Sequence, residues 1–371
     1  MNLFLAAHAA AGRWQAAADA CLAELGPVPA EANVGFLYVT DAFAAELPEI
    51  FAYLKGHTEI AHWTGTVGTG ICGNGREYHD EPAISLLVGS FSADHFRILP
   101  ALTDKPDSFV RAERAWIARH DHHFGIVHGD PRDMGLPKLI GELGEAVRGG
   151  FLVGGLASSR HGYPQIADGM VEGALSGILF DAEVPIATAL TQSCAPFGGK
   201  HLITQCQRNI AIRLDDRPAL EVFREEIGEG LARNLTRAAE TIGVALPVRG
   251  SDTGDYLVRN LMGIDENNGL LAIGEMLSTG QPLQFCRRDP ASAEADMRRM
   301  LRDLKVRAPQ PKGGVYYTCV GRGPNLFDAA SGELRIIQEE LGDLPLTGFY
   351  CNGEISHNRL YGYTGVLTLF L

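Results

Sequence analysis

Two short segments near the end of the chain carry side chains that could bind a small charged ligand. Cys319-Val-Gly-Arg-Gly323 presents a thiol and a guanidinium between glycines, and Cys351-Asn-Gly-Glu354 presents a thiol, an amide and a carboxylate. An arginine and a glutamate on neighbouring loops have the charges needed to pair with the carboxylate and the ammonium of an amino acid. The ligand-binding residues expected here are Arg322, Glu354, Asn352, Cys319, Gly321 and Gly353.

A third segment has a related composition. Gly154-Gly-Leu-Ala-Ser-Ser-Arg-His-Gly162 follows an apolar run and combines glycines, hydroxyl groups and an arginine. Such a set suits an anionic or carboxylate ligand. We therefore add Ser158 and Arg160 to the expected ligand-binding residues.

The two C-terminal cysteines admit a second interpretation, a hydrolase or transferase with Cys319 or Cys351 as its nucleophile. A thiol near an arginine can have a lowered pKa, which would activate it. Neither cysteine has a histidine and an aspartate in its local sequence to complete a catalytic set, so we expect the chain not to be an enzyme. The chain has seven cysteines and no CxxC pair, which predicts reduced thiols and neither disulfides nor a structural metal site.

Haem-based gas sensing is a third interpretation, because a histidine in a dry pocket can ligate haem iron. The chain has 12 histidines, and its sequence singles out none of them. The cluster Arg119-His-Asp-His-His123 is the densest, but consecutive residues point in different directions and cannot all converge on one ion. We expect that cluster to be a solvated loop, and haem stays a possible cofactor.

The candidate segments end strands in a pattern of strand, helix, strand and strand that occurs three times. The copies begin near Gly35, Phe124 and Gly313. Each copy ends in two successive strands that could pair as a hairpin, which disfavours a wholly parallel sheet. We predict an α/β fold, with α+β as the alternative, in two domains with mixed sheets covered by helices. An amphipathic helix is predicted over residues 9–25.

Composition and charge limit the class of protein. The chain has 371 residues, of which 46% are hydrophobic, so it can bury a sizeable core. Its net charge of −13 opposes binding to nucleic acid or to an acidic membrane surface. No apolar run approaches the roughly 20 residues needed to span a bilayer, and the first residues lack the basic flank of a signal peptide. We expect a cytoplasmic protein with no membrane insertion.

Several of these motifs, taken in order along the chain, resemble the FIST family. Val153-Gly-Gly-Leu-Ala157, Asp168-Gly169, Gln192-Ser-Cys-Ala-Pro196 and Leu214-Asp-Asp-Arg-Pro-Ala-Leu220 look like its N-terminal part. The segment Cys319 to Gly323, Gly348-Phe-Tyr-Cys-Asn-Gly-Glu-Ile355 and the final Gly362-Tyr-Thr-Gly-Val-Leu-Thr-Leu-Phe370 look like its C-terminal part. One departure is Cys194-Ala195, where the family usually has a glycine followed by tryptophan or another hydrophobic residue.

The resemblance implies a domain organisation and a function. Residues 1–32 would be an N-terminal helical extension, residues 33–228 a FIST N-terminal-like domain, and residues 229–371 a FIST C-terminal-like domain. FIST domains resemble the sensory regions of histidine kinases and chemoreceptors, are proposed to bind small ligands such as amino acids, and include haem-containing nitric-oxide sensors. Because the first 32 residues leave no room for a kinase, we expect the chain to act through a separate partner such as a histidine kinase.

Overall fold

The computed structural model describes residues 3–248, 256–327 and 331–371, and its fold is mixed α/β, as predicted. The chain forms two compact units, of which the larger comprises Met1–Thr191 and Met297–Leu371 and the smaller comprises Gln192–Asp296. Residue 228, the predicted domain boundary, lies inside the smaller unit. The division into residues 1–32, 33–228 and 229–371 stays a prediction.

Helices and strands alternate through the first half of the chain. The strands are β1 (Phe4–Ala10), β2 (Val34–Thr40), β3 (His62–Gly68), β4 (Gly70–Gly73), β5 (Arg76–His79), β6 (Ala83–Gly89), β7 (Phe96–Leu102), β8 (His123–Gly129), β9 (Phe151–Leu156), β10 (Gln165–Ala167), β11 (Met170–Val171), β12 (Leu175–Asp181) and β13 (Ile186–Gln192). The helices are α1 (Trp14–Leu25), α2 (Leu47–Thr58), α3 (Asp107–Ala112), α4 (Arg114–Ile117) and α5 (Leu136–Ala146).

The second half contains the smaller unit and the last part of the larger one. The smaller unit has β14 (Cys194–Gln207), β15 (Ile210–Leu214), β16 (Arg217–Pro218), α6 (Ala219–Ala232), α7 (Leu235–Thr241), β17 (Ile242–Pro247), β18 (Tyr256–Asp265), β19 (Leu270–Ile273) and β20 (Pro282–Arg288). The following elements are α8 (Pro290–Arg307), β21 (Gly313–Cys319), α9 (Gly332–Leu341), β22 (Leu346–Cys351), β23 (Glu354–Ser356), β24 (Arg359–Tyr361) and β25 (Thr364–Phe370).

The N-terminal segment differs from the helix predicted over residues 9–25. Residues Phe4–Ala10 form β1, which pairs along its whole length with β6, and the helix begins only at Trp14. Alanine favours helices. Here the cross-strand pairing and the burial of Ala7 outweigh that preference, because strand formation depends strongly on the neighbouring strand.

The larger unit contains three copies of the predicted pattern. In each copy two parallel strands are joined by a helix, as β2 and β3 are joined by α2, and a later strand pairs antiparallel with the first. The second copy uses β8, α5, β9 and β12, and the third uses β21, α9, β22 and β25. The repetition inferred from the sequence is therefore present in the fold.

Each copy also contributes a short hairpin, and this hairpin extends the sheet of a different copy. The hairpin β4–β5 of the first copy joins the third sheet, β10–β11 of the second joins the first, and β23–β24 of the third joins the second. The three copies are thus linked in a closed cycle. The strand orders are β1-β6-β2-β3-β10-β11, β24-β23-β9-β8-β12-β7 and β13-β25-β21-β22-β4-β5.

Equivalent positions of the three first strands meet in the core of the larger unit. The hydroxyl of Tyr38 lies 2.9 Å from Nε2 of His128 and 2.8 Å from the hydroxyl of Tyr317. All three side chains are buried, and burial lowers the pKa of His128 to about 3. The histidine is therefore neutral near pH 7, so the core contains no buried charge at this point.

One glycine in each second strand permits the close approach of its parallel neighbour. A Cβ atom there would lie less than 2 Å from a carbonyl oxygen, a distance that real Cβ atoms do not adopt. The three contacts are Gly65 with Leu37 (1.9 Å), Gly154 with Val127 (1.9 Å) and Gly348 with Tyr316 (1.8 Å).

Replacing Gly154 with alanine should strongly destabilise the larger unit. The residue has a φ of 135°, which side chains rarely adopt, in addition to the backbone clash. We expect Gly154→Ala to lower the free energy of unfolding by at least about 2 kcal/mol in denaturant titrations followed by tryptophan fluorescence. Gly56→Ala is the control, because a Cβ at that helical position meets nothing within 4 Å and should be neutral or stabilising. Equal stability of the two variants would contradict the steric argument.

The smaller unit is an antiparallel barrel with its own core. Strands pair in the order β14-β20-β17-β18-β19-β15, and β14 also pairs with β15, which closes the sheet on itself. The long strand β14 pairs with β20 from Cys194 to Leu202, across a bulge between Phe197 and Lys200, and then with β15 from Ile203 to Gln207. Helices α6 and α7 contribute Phe223 and Leu235 to the barrel core.

Candidate functional site

Arg322 is fully buried and pairs with Glu333 rather than with Glu354. Its Nε donates to Oε2 of Glu333 at 2.8 Å, and its terminal Nη2 lies 2.6 Å from the same oxygen. The guanidinium also lies 5.2 Å from the ring of Phe327. Burial alone would lower the pKa of Arg322, but attraction to Glu333 outweighs it and raises the pKa. The side chain is charged and enclosed, and it is not displayed in an open crevice.

Glu333 is surrounded by hydrogen-bond donors. It is the second residue of α9, and its carboxylate accepts from the hydroxyl of Tyr316 at 2.6 Å and from the amide of Gly323 at 3.0 Å. The helix itself is capped from another copy, because Oε1 of Glu77 accepts from the amides of Glu333 and Leu334 at 2.9 and 3.0 Å. The Arg322 pair therefore fixes the loop after β21 to α9.

Glu354 lies apart from this pair and is also fully buried. Its Oε2 accepts from the amide and hydroxyl of Thr364 at 3.1 and 2.8 Å, and the thiol of Cys319 lies beside the carboxyl group. Its Oε1 has no hydrogen-bond partner of ordinary geometry among the described residues. Burial raises the pKa of Glu354 to about 8. The carboxyl group is therefore mostly protonated at neutral pH.

The remaining residues predicted near Arg322 shape the loops. Asn352 is exposed, and its backbone amide donates to the carbonyl of Leu156 at 3.0 Å. Gly353 has a φ of 131°, and its carbonyl accepts a hydrogen bond from the backbone amide of Leu156 at 2.9 Å. Gly321 lies against the ring of Tyr363, and a Cβ at position 321 would be only 2.8 Å from a ring carbon. These residues join the second and third copies, and their binding role stays a prediction.

The two cysteines of the alternative hydrolase are buried. Burial raises the pKa of both the Cys319 and the Cys351 thiol. A raised pKa disfavours the thiolate, which is the nucleophilic form. All seven cysteines are free thiols.

Ser158 and Arg160 lie in the loop after β9. Ser158 is buried and accepts a hydrogen bond from the amide of Thr69 at 2.8 Å. Arg160 has a half-exposed side chain that holds Asp41 with two bonds, Nε to Oδ2 at 2.7 Å and Nη2 to Oδ1 at 2.8 Å. Asp41 directly follows β2, so this loop is fastened to the strand end of the first copy.

A groove of about 1070 Å³ opens next to this loop in the larger unit. One wall is the start of α2, a second is the loop that follows β8, and a third is the end of the loop after β9. The residues that line it are Ala44, Pro48, Thr103, Asp104, Asp130, Arg132, Asp133, Gly162, Tyr163, Pro164, Met170, Val171, Glu172, Gly173 and Ala174.

A difference in loop length explains why the groove forms at this place. One residue separates β3 from β4 and two separate β22 from β23, but residues 157–164 separate β9 from β10. In the first and third copies the hairpin therefore follows its strand at once. In the second copy the longer loop supplies Gly162, Tyr163 and Pro164 as a wall. The groove is thus a departure from the threefold pattern.

The polar groups in the groove centre on Asp130, which directly follows β8. Arg132 donates to it from Nε at 3.0 Å and from its own backbone amide at 2.9 Å. The guanidinium lies 5.2 Å from the ring of Tyr163 and is 71% exposed. Burial alone would raise the pKa of Asp130, but the bonds from Arg132 outweigh it and lower the pKa. Sequence reasoning missed these residues, although Asp130 occupies the strand-end position that it singled out in the third copy.

A haem bound by this chain would need a histidine that is free to ligate its iron. The ring nitrogens of His128 lie 2.9 Å from the hydroxyl of Tyr38 and 3.4 Å from that of Thr64, so ligation would break a core contact. No histidine is among the described residues that line the groove. The groove therefore does not fit a haem held by histidine.

The described residues contain neither a cluster suited to a metal ion nor a helix suited to crossing a membrane. No three histidine, cysteine, aspartate or glutamate side chains there are placed to hold a metal ion. No helix in the described ranges has both the length and the apolar character needed to cross a bilayer.

Comparison with known proteins covers nearly the whole chain. An uncharacterised protein of Mycobacterium tuberculosis is 29% identical over 340 residues, which cover 87% of each chain. An uncharacterised protein of Mycobacterium bovis is 29% identical over 367 residues, covering 89% of this chain and 92% of the relative. The solved structure of T. maritima PurL complexed with ADP aligns with a TM-score of 0.24 and 8% identity, over 99% of this chain and 71% of that chain. This last likeness is too weak to support an argument.

Family comparison is more informative. The FIST N domain matches residues 33–217, and the FIST C domain matches residues 219–357. Together the two matches span most of the chain in the order that the motifs predicted. The chain belongs to the FIST family, whose domains are sensory modules of signal transduction rather than catalytic ones.

Proposed function

We propose that this chain is a ligand-sensing module that binds a small polar molecule, such as an amino acid, in the groove beside Asp130. It then acts through a separate partner protein such as a histidine kinase. The observation that carries the proposal is the groove itself, which opens where the second copy departs from the other two.

The geometry of the groove supports a small polar ligand. Ligand sites in α/β proteins commonly lie at the carboxyl ends of strands, where loops of neighbouring elements converge. Asp130 follows the carboxyl end of β8, and the wall formed by Gly162 and Tyr163 follows the carboxyl end of β9. Both signs of charge are present there. The equivalent strand end in the third copy is occupied by the ion pair between Arg322 and Glu333. The strand ends of the second copy, in contrast, are open to the groove.

The site also suggests how binding could be transmitted. The loop that forms one wall is tied to the first copy through Arg160 and Asp41, and Ser158 in the same loop contacts the third copy through Tyr350. A ligand that favours one position of this loop would therefore affect contacts of all three copies. Ligands shift such equilibria by their differential affinity for the two states.

A thermal-shift screen of amino acids and related small polar molecules tests this proposal. A ligand at 100 times its Kd should stabilise the protein by about 2.7 kcal/mol. We expect this stabilisation to disappear in Gly162→Trp, because a Cβ at Gly162 meets only Pro164, at 4.0 Å, so the variant can fold and fill the groove.

Gly12→Trp is the matched control. Gly12 lies outside the groove lining and a Cβ there meets nothing within 4 Å, so this variant should respond like the wild type. Ligands that stabilise both tryptophan variants equally would place the binding site elsewhere and contradict the proposal.

A further inference from the structure

We propose that the groove binds a ligand with a guanidinium group, and that Arg132 occupies the position of this group in the unliganded protein. This inference rests on the proposed function of the groove and adds the chemical class of its ligand. The guanidinium of the ligand would displace the guanidinium of Arg132 from its contacts with Asp130 and Tyr163.

The contacts of Arg132 are those that a bound guanidinium needs. A carboxylate recognises a guanidinium through paired hydrogen bonds, and Nε and Nη2 of Arg132 both donate to Asp130, at 3.0 and 2.6 Å. An aromatic ring recognises its flat face, and the ring of Tyr163 lies 5.2 Å away. The carboxyl group of Asp130 is mostly buried, with 14% of its side chain exposed. The receiving groups are thus fixed in the protein.

Arg132 itself is held loosely enough to be displaced. Its side chain is 71% exposed, and it lies only two residues from Asp130, so their pairing does not connect distant parts of the fold. Exposed ion pairs of this kind contribute little to stability. A ligand that supplies the same group would therefore replace it at small cost to the protein.

The third copy shows that this fold can enclose a guanidinium at a strand end. Just after β21, Arg322 pairs with Glu333 and lies 5.2 Å from the ring of Phe327, with no exposed side-chain surface. The same three components, a carboxylate, a guanidinium and an aromatic ring, occur at the end of β8. There they remain open to the groove.

The charge of the groove favours a cation over an anion. Its lining contains Arg132 and four carboxylates, and Asp130 already neutralises Arg132. Within the described residues, Asp104, Asp133 and Glu172 form no ion pair with a basic side chain. The lining therefore has an excess of negative charge, which attracts a cationic ligand and opposes capture of an anion by Arg132.

Titration calorimetry with L-arginine and L-citrulline on the full chain tests the inference. Citrulline has nearly the shape of arginine but carries a neutral group in place of the guanidinium. We expect arginine to bind at least tenfold more tightly than citrulline. In Arg132→Ala, which removes the internal competitor, arginine should bind severalfold more tightly than to the wild type, because a weak internal pair competes only weakly.

Three variants complete the test, each checked for folding by circular dichroism. Asp130→Asn should weaken arginine binding more than tenfold, and Tyr163→Leu should weaken it severalfold. Arg148→Ala is the control for Arg132→Ala, because Arg148 forms an exposed pair with Asp121 at 3.3 Å away from the groove, and it should not change binding. Equal binding of citrulline, weaker arginine binding in Arg132→Ala, or no arginine binding to any variant would overturn the inference.

Gly162→Trp separates this inference from the proposed function. If a neutral or anionic molecule binds the wild type and Gly162→Trp abolishes its binding, the groove is the sensory site but its ligand class differs. If arginine binding survives Gly162→Trp unchanged, the site lies outside the groove and both proposals fail.

Discussion

Arg322→Ala should lower the free energy of unfolding of the larger unit by about 3–5 kcal/mol. The substitution leaves the carboxylate of Glu333 buried without its cation, and an uncompensated buried charge is among the most destabilising changes in a protein. The remaining donors to Glu333, from Tyr316, Thr318 and Gly323, are neutral and only partly compensate. Chemical denaturation of the full chain, with the larger unit followed by tryptophan fluorescence, measures the effect.

Two comparisons make the result for Arg322 specific. The double variant Arg322→Met with Glu333→Gln removes both charges and keeps an oxygen that can accept from Tyr316, Thr318 and Gly323, so it should recover part of the lost stability. Arg217→Ala removes exposed pairs with Glu221 and Glu225 and should cost far less stability than Arg322→Ala. A small effect of Arg322→Ala, together with weaker ligand binding, would instead favour the binding role predicted from the sequence.

Glu354→Gln should make the protein more stable than the wild type at alkaline pH but not at acidic pH. The folded-state pKa is about 8 and the ordinary value is 4.5, so the folded protein keeps a proton that the unfolded chain releases. The stabilising contribution of this group is fully present below pH 4.5 and is lost as the pH rises through about 8. A pKa difference of this size corresponds to on the order of 5 kcal/mol.

The measurement compares denaturation of the two proteins at several pH values from 4 to 9. Other titrating groups contribute equally to both proteins, so the difference in stability isolates Glu354. Glutamine retains an oxygen that can accept from Thr364, and the other titratable groups near the site are Arg322, Cys319 and Cys351. Parallel stability curves would mean that the carboxylate is charged in the folded protein, which contradicts the effect of burial.

Strand ends were predictable from the sequence, but the partners of their side chains were not. Apolar runs bounded by glycine located the ends of β21 and β22 and therefore the loops that carry Arg322 and Glu354. The choice of Glu333 over Glu354 as the partner of Arg322 depends on how the first turn of α9 approaches the loop. That approach is fixed by Glu77, 256 residues away in sequence, which caps the helix. A local pattern contains no information about such a contact.

The position of the groove could have been predicted from the length of one loop. Comparison of the three copies would have shown that the loop of residues 157–164 is longer than its two counterparts. A long loop in one of several otherwise similar repeats is a common site of function. The exchange of hairpins between copies could not be predicted in this way. A short two-stranded hairpin can pair with any suitable sheet edge, and its side-chain pattern does not specify which edge.

The exchanged hairpins also set the order in which the chain can mature on the ribosome. Ile71 in β4 pairs with Phe349 in β22, so the first copy waits for nearly all of the remaining chain before its hairpin finds a sheet. At translation rates of 5–20 residues per second this delay is roughly 15–55 s. During that time the unpaired edge of β4, and that of β9 once it is synthesised, are open to other chains. Nascent chains of this protein are therefore expected clients of ribosome-associated chaperones until the last strands emerge.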